Sequence, residues 1–456
     1  MRRRVVVTGM GVICALGESV EEFWSNCLVG YSPISSIPDH WLLYSNYKSH
    51  IWSVLPEIDF KKYSIRRVEL LKHDLSSILS LCAAKQAVEQ SGWCVKQLDQ
   101  KNQSYTIEEL GSDQVGIYLG TSFGATSFLE AHANQILDRP TRAMRSTVKD
   151  LKLDANGQEA ICSVLNTLQH APKYHPLTVS RLMPNAASAV LGIKYSIKGP
   201  TVTLALACAA STVAIGHAFR SIRDGYIDAA MAGGSEYWND YYGAIFRAFD
   251  LANTLVGRDL DPHASNRPFD RDRSGFLFSQ GGSAILILEE LDMARQRGAD
   301  ILAEVLGFSE TFDAHNMMSL APDGAEIERM LFESLKDAKI DPSQIDYINA
   351  HGTGTLLNDE VECDVLRRVF GTKPKINSTK SLLGHTIGAS GALEAIVTIQ
   401  SLRKQTTHAC KNLVNPISDL NFVREVEPGE FSHACTHSFA FGGHNAGLIL
   451  GRYRGD

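Results

Sequence analysis

Residues 199–219 read GPTVTLALACAASTVAIGHAF, and the change of character midway through this stretch decides the fold. Residues 201–207 are an apolar, β-branched run behind a Gly-Pro turn, the pattern of a strand buried on both faces. From Ala209 to Phe219 nearly every position is small or apolar, which predicts a helix buried all round rather than an amphipathic one. Cys208 stands at the junction. A thiol at a helix N-terminus faces unpaired N–H groups and the positive end of the helix dipole, and both favour thiolate. A free cysteine is also a small hydrophobe that packs well in a core. Position alone leaves both readings open.

Outward from this junction the same strand-then-helix grammar recurs. Short apolar runs at 5–8, 115–119, 229–233, 284–288, 301–305, 345–350, 375–378 and 446–450 alternate with helical patterns, so the chain reads as α/β with buried strands. Val68, Leu71, Leu75, Ile78, Leu79 and Cys82 recur at helical spacing, with Gly92 as the stop. Met330, Leu331 and Leu335 mark one side of a helix over 326–337. The polar stretch 101–113 reads as a surface loop, and the charged, mixed stretch 137–175 as an insertion with helical pieces and no clear strand.

Composition removes several classes of function. With 456 residues and a net charge of −7, the chain does not have a nucleic-acid-binding body. Its nine cysteines include no C-x-x-C pair, which speaks against zinc sites and a secreted disulfide framework and for a reducing, cytoplasmic setting. The opening MRRRVVVTGMGV is a first buried strand rather than a signal segment, and no run of 18 apolar residues exists to span a membrane. TGMGV also lacks the third glycine and downstream acidic residue of a dinucleotide site.

Three more segments can carry chemistry. His351, in INAHGTGTLLNDEVE, closes an apolar run at a strand's carboxyl end, where α/β folds build their sites. His385 shares INSTKSLLGHTIGASGALE with Lys380 and Glu394. In THSFAFGGHNAGLIL, Phe439 and Phe441 precede Gly442 and Gly443. This is either a hairpin with two core phenylalanines or a glycine turn that brings a backbone N–H and an aromatic gate to a pocket.

Taken in order, GPTVTLALACAAS, RPFDRDRSGF (267–276), NAHGTGTLLND, STKSLLGHTIGASGALE and HSFAFGGHNAGLIL resemble the β-ketoacyl-[acyl carrier protein] synthases of type I/II, nearly end to end. The resemblance implies a thiolase-like, five-layer αβαβα fold of two pseudo-symmetric halves with mixed five-stranded sheets. The halves would be 1–298, with the nucleophile and the 137–175 insertion, and 299–456, with both histidines, the lysine and the phenylalanine gate. It implies an acyltransferase of decarboxylative Claisen type that elongates fatty-acid or polyketide chains, with Cys208 as nucleophile and His351, His385 and Lys380 as catalytic partners. Glu394, Phe439 and Phe441 would support them, the Phe441 N–H serving an oxyanion hole. The implied partner is an acyl carrier protein bearing acyl or malonyl groups on its phosphopantetheine. No other cofactor and no metal is expected, and a homodimer is. Alternatives within the fold are a non-extending acyltransferase or decarboxylase, and a specialised secondary-metabolite ketosynthase or its partner subunit. Phe123 and Phe128 are candidate acyl-pocket residues, and Lys61, Lys62, Arg66, Arg67 and Arg247 a candidate carrier-docking rim. Ser279-Gln280, Ala440 and Asp250 depart from the family pattern.

Overall fold

The structure is a computed structural model that describes residues 2–43, 45–100, 103–122, 139–150, 154–170, 176–240, 243–257 and 261–455. The chain forms two compact units, one of residues 1–123 with 185–456 and one of residues 124–184.

The larger unit is organised by one sheet. Its strands are β1 (Val5–Cys14), β2 (Val115–Thr121), β3 (Thr201–Ala205), β4 (Ala229–Tyr237), β5 (Gly281–Glu290), β6 (Ala303–Phe312), β7 (Tyr347–Asn349), β8 (Lys375–Asn377), β9 (His433–Phe439) and β10 (His444–Gly451). They lie in the order β8-β7-β9-β10-β6-β1-β5-β4-β2-β3. Numbered within each half, both sets of five run 3-2-4-5-1, so the chain repeats one topology. Strand directions repeat as well: β1 and β5, β5 and β4 are antiparallel while β4, β2 and β3 are parallel, and β6, β10, β9, β7 and β8 follow the same pattern. The halves are joined rather than separate. β1 and β6 pair through Val5↔Val305, Val6↔Glu304 and Val7↔Ala303.

Helices cover and separate the halves. α1 (Leu75–Ser91) and α2 (Ala186–Tyr195) close the outer face of the first half. α3 (Ala210–Arg223) lies inside, and α4 (Ala244–Leu251) follows β4. α5 (Ala325–Ala338) and α6 (Leu356–Phe370) close the outer face of the second half, and α7 (Ser390–Lys404) lies inside beside α3. α3 touches β2 and β4 on one side and β6 and β10 on the other, which gives the αβαβα layering. The near-total burial expected for the helix after Cys208 is found, and α7 is buried from Ser390 to Leu402. Small residues make that contact possible: Ala392 N–H donates to Ser211 Oγ at 3.0 Å, and a β-carbon on Gly391 would overlap Thr212.

The TGMGV glycines have a packing role. A β-carbon on Gly9 or Gly11 would run into the carbonyls of Ala87 and Ala83 on α1. They let a helix lie close against β1, and no phosphate need be invoked.

Several boundaries differ from those read in the sequence. The helical pattern beginning at Val68 is two helices, because Asp74 caps α1 by accepting from Ser76 N at 2.8 Å, after a short helix at Arg67–Lys72. Val68 and Leu71 are consequently exposed. Part of the 101–113 loop is a strand, Ser104–Ile107, paired with Val95–Asp99. The division at 298/299 falls just before β6, where the topology restarts, yet the halves share a sheet and the α3–α7 layer and do not part into separate units. The unit that does separate, 124–184, is wider than 137–175. It holds the helices Arg139–Asp150 and Ala155–His170, packed on each other, and a short helix Thr178–Leu182, with no strand among its described residues. No described helix is long and apolar enough to cross a membrane.

Candidate active site

The repeated topology places its chemistry at equivalent points. Cys208 follows strand three of the first half, and Lys380 and His385 follow strand three of the second. Each buried inner helix is entered through one 3-10 turn, Ala207–Ala209 before α3 and Ile387–Ala389 before α7. Each turn begins with a non-glycine residue in the left-handed region, Ala207 at φ 44° and Ile387 at φ 54°. For β-branched Ile387 this is a strained conformation held by its surroundings. It aims the Ile387 N–H at the imidazole of His385.

Cys208 and His385 touch. Sγ lies 3.0 Å from Nε2 of His385. Nδ1 of the same ring receives the Ile387 N–H at 3.2 Å and lies 2.9 Å from Ser390 Oγ. A backbone N–H can only donate, so Nδ1 is the acceptor and the ring proton sits on Nε2, towards the sulfur. His351 is set in the same way: Lys380 Nζ, a donor, lies 3.2 Å from its Nδ1, which leaves Nε2 as the N–H. The two rings are 5.6 Å apart and nearly perpendicular at 84°. Burial and then the Lys380 charge hold both imidazoles well below the usual histidine range, so both are neutral.

Lys380 is itself buried and paired with Glu394 on α7. Burial pushes the Glu394 carboxyl up, with Lys380 pulling against it. A buried cation in contact with one imidazole and near a second keeps both unprotonated. His351 is anchored through its backbone, since Glu362 on α6 accepts the N–H groups of His351 at 2.7 Å and Gly352 at 2.8 Å.

Two effects oppose each other at the thiol. The helix mouth favours thiolate, but burial pushes the thiol up to about 12, against the pull of Lys380 and of the backbone N–H groups of Phe441 and Cys208. Desolvation outweighs the helix mouth here. Both of those backbone N–H groups bond the Cys208 sulfur.

Cys208, His351 and His385 line one cavity of about 180 Å³. Phe439 and Phe441 also line it, with Phe439 packed 5.4 Å from His351. Thr353, Thr355, Met318 and Leu357 form its outer wall, and Met318 and Leu357 are substantially exposed, so the cavity opens to solvent. Phe441 sits at the β9–β10 hairpin, half-buried, whereas Phe439 at the end of β9 is buried. Ala440 brings no strain, because the left-handed positions fall on Gly442 and Gly443. Gln280, off-pattern, accepts from Leu55 N at 2.8 Å, while Ser279 N–H donates to His385 O at 3.2 Å, so that segment braces the histidine from behind. Asp250 is buried and accepts from Lys48 N and Ser49 N, which makes it a loop anchor.

Other candidates lie apart. Lys61, Lys62 and Arg67 are exposed, Arg66 bonds Glu69 at 3.4 Å, and Arg247 is on α4; none lines the cavity. Phe123 and Phe128 lie outside the described residues. Sequence reasoning missed Glu362, Ser390, Thr353 and Thr355. All four stand inside the quoted histidine motifs, but only α6 folding back over its own loop reveals what Glu362 holds.

Known proteins resemble this chain over nearly its whole length. Sequence profiles of the β-ketoacyl synthase N-terminal and C-terminal domains match residues 2–293 and 302–414. The chain is 32% identical to a 3-oxoacyl-[acyl-carrier-protein] synthase 2 of Synechocystis over 99% of both chains. Among solved structures it resembles a β-ketoacyl synthase from Burkholderia phymatum, at 28% identity and TM-score 0.81 over 99% of this chain and 100% of that one. It also resembles a type II polyketide ketosynthase, bound to the hexaketide and in complex with its acyl-carrier protein, at 26% identity and TM-score 0.78 over 100% of both.

Proposed function

The chain belongs to the β-ketoacyl synthase family, and from that premise we propose that it joins an acyl group held on Cys208 to a malonyl unit held on an acyl carrier protein. In the loading step the Cys208 sulfur attacks the acyl carrier thioester. The carrier sulfur leaves and takes the thiol proton, and the acyl group remains on Cys208. Malonyl carrier protein then loses its carboxylate as CO₂, and the freed electron pair passes to the malonyl thioester as an enolate. That carbanion attacks the acyl-Cys208 carbonyl. Collapse gives β-ketoacyl carrier protein and expels the Cys208 thiolate, which takes a proton from solvent.

The single observation that carries this reading is the pair of neutral Nε2–H imidazoles that share one cavity with the Cys208 sulfur. Preorganised N–H donors at such a site stabilise an enolate oxygen, and the N–H groups of Cys208 and Phe441 serve the tetrahedral steps. Lys380, Glu394 and Phe439 support the histidines. Residues 1–298 and 299–456 act as two halves of one catalytic body. The exposed cations Lys61, Lys62 and Arg67, with Arg66 and Arg247, form the docking rim for an acidic carrier. β3 ends the sheet and is half-exposed, which supports pairing of two copies. The setting is the cytoplasm, and no cofactor beyond the carrier's phosphopantetheine takes part.

Purified protein given acyl-loaded carrier protein and malonyl-loaded carrier protein forms β-ketoacyl carrier protein and CO₂ in equal amounts. Acyl uptake by the protein with neither product would replace extension by simple acyl transfer.

The pH dependence follows from the histidines. A depressed imidazole pKa means that the neutral form persists as pH falls through the ordinary 6.5. The two imidazoles therefore place their acid limb of malonyl decarboxylation below 6.5, and the Glu394 carboxyl, raised to about 7, is the group of this cluster that titrates above it. An inflection near 6.5 that persists in Glu394→Gln would contradict the assigned protonation states.

A further inference from the structure

A third buried histidine takes no part in the steps above. His437, on β9, is fully buried, and its Nε2 lies 2.6 Å from Glu362 Oε1. Glu362, also fully buried, accepts four donors: the N–H groups of His351 and Gly352, the Asn358 side-chain amide at 3.2 Å, and His437. Three of these partners can only donate, so the carboxylate accepts on both oxygens and His437 supplies the remaining N–H.

His437 reaches the site by a second route. Phe439, two residues on and therefore on the same face of β9, stacks on the His437 ring at 5.1 Å and 19°. Phe439 in turn packs against the His351 ring. The backbone of His351 is thus held through Glu362, and its imidazole is held through Phe439. Both supports rest on His437. The other ring nitrogen, Nδ1, faces the Cys435 sulfur at 3.7 Å, so the far side of the ring meets a weak partner and its strong bond is the one to Glu362.

We propose that His437 is a positioning residue for malonyl decarboxylation, one that fixes the Nε2–H of His351 through Glu362 and Phe439. The proposal rests on the reading of His351 as an enolate donor. It separates the two half-reactions: acyl loading uses the Cys208 sulfur and the N–H groups of Cys208 and Phe441, which lie outside the His437–Glu362 contacts.

The test compares wild type with His437→Leu, which removes the donor, and His437→Gln, whose amide can still donate to Glu362. Decarboxylation of malonyl carrier protein gives kcat and KM, and intact mass gives the rate of Cys208 loading. The expected result for His437→Leu is a fall in kcat of about 10- to 100-fold, the scale of a misplaced reacting group, with KM and loading nearly unchanged. His437→Gln recovers most of the loss. A wild-type kcat in His437→Leu overturns the proposal. So does an equal loss of loading and decarboxylation, or a glutamine variant no better than the leucine one. If His437→Leu does not fold, Glu362→Gln keeps the shape but turns one acceptor towards donors, and it must show the same split. His351→Ala distinguishes the levels of failure. Wild-type decarboxylation there removes the functional reading itself, whereas a dead His351→Ala beside a normal His437→Leu removes only the positioning role.

Discussion

Cys208→Ala takes up no acyl group from acyl carrier protein and loses condensation by on the order of 10⁴-fold or more, the scale seen when a covalent nucleophile is removed. The fold survives, because alanine already stands at 207, 209 and 210 and one buried sulfur atom is a small volume to lose, costing about 1 kcal/mol. The specificity of the label is the sharper part. Of the nine cysteines, Cys14, Cys27, Cys82, Cys363, Cys410 and Cys435 are also buried with raised thiols. None of these six lines the cavity. Cys94 and Cys162 are exposed but sit outside it too. Only Cys208 combines access, two converging N–H groups and Lys380 close enough to stabilise negative charge. Intact mass of wild type after incubation with acyl carrier protein shows one acyl group, and peptide mapping puts it on Cys208. An acyl group on another cysteine, or an alanine variant within tenfold of wild type, would refute the nucleophile assignment.

How much of this was legible depends on how local each feature is. The junction at Cys208 was legible because a strand, a reactive side chain and an all-apolar helix lie within 20 or so consecutive residues. His351, Lys380, His385 and Glu394 were legible because their motifs are contiguous. The proton state of Cys208 was not, since desolvation depends on α3, α7 and the β9–β10 hairpin closing together, which no local pattern states. Nor was the joint between the halves, which combines three residue pairs of β1 and β6 with the α3–α7 contact. The break at Asp74 was hidden by a continuous apolar period, and a single capping carboxylate overrode it. His437 was not legible because nothing in its own segment states its bond to Glu362. Its partner is 75 residues away.

His385→Ala loses malonyl decarboxylation and condensation by about 10²–10³-fold, since one preorganised donor to an oxyanion is worth roughly 3–4 kcal/mol in the transition state. Cys208 loading survives with a much smaller loss. The asymmetry follows from geometry. In loading, the tetrahedral oxygen forms on a carbonyl bonded to sulfur and is met by the N–H groups of Cys208 and Phe441. In decarboxylation, charge develops on the malonyl oxygen, and the two Nε2–H imidazoles that line the cavity are the donors assigned to it. The donor role requires the proton on Nε2, which the Ile387 N–H enforces by occupying Nδ1. That bond depends on the left-handed conformation of Ile387, so the fold keeps a strained residue beside the histidine whose tautomer it sets. His385→Gln, with an amide that can donate from nearly the same place, recovers a measurable part of the rate, while His385→Phe, similar in bulk and without a donor, stays as low as alanine. Single-turnover measurement of CO₂ release, alongside intact mass for loading, separates the two steps. Equal loss of both steps in His385→Ala would assign the ring to nucleophile activation instead, with Nε2 accepting the thiol proton across the 3.0 Å contact.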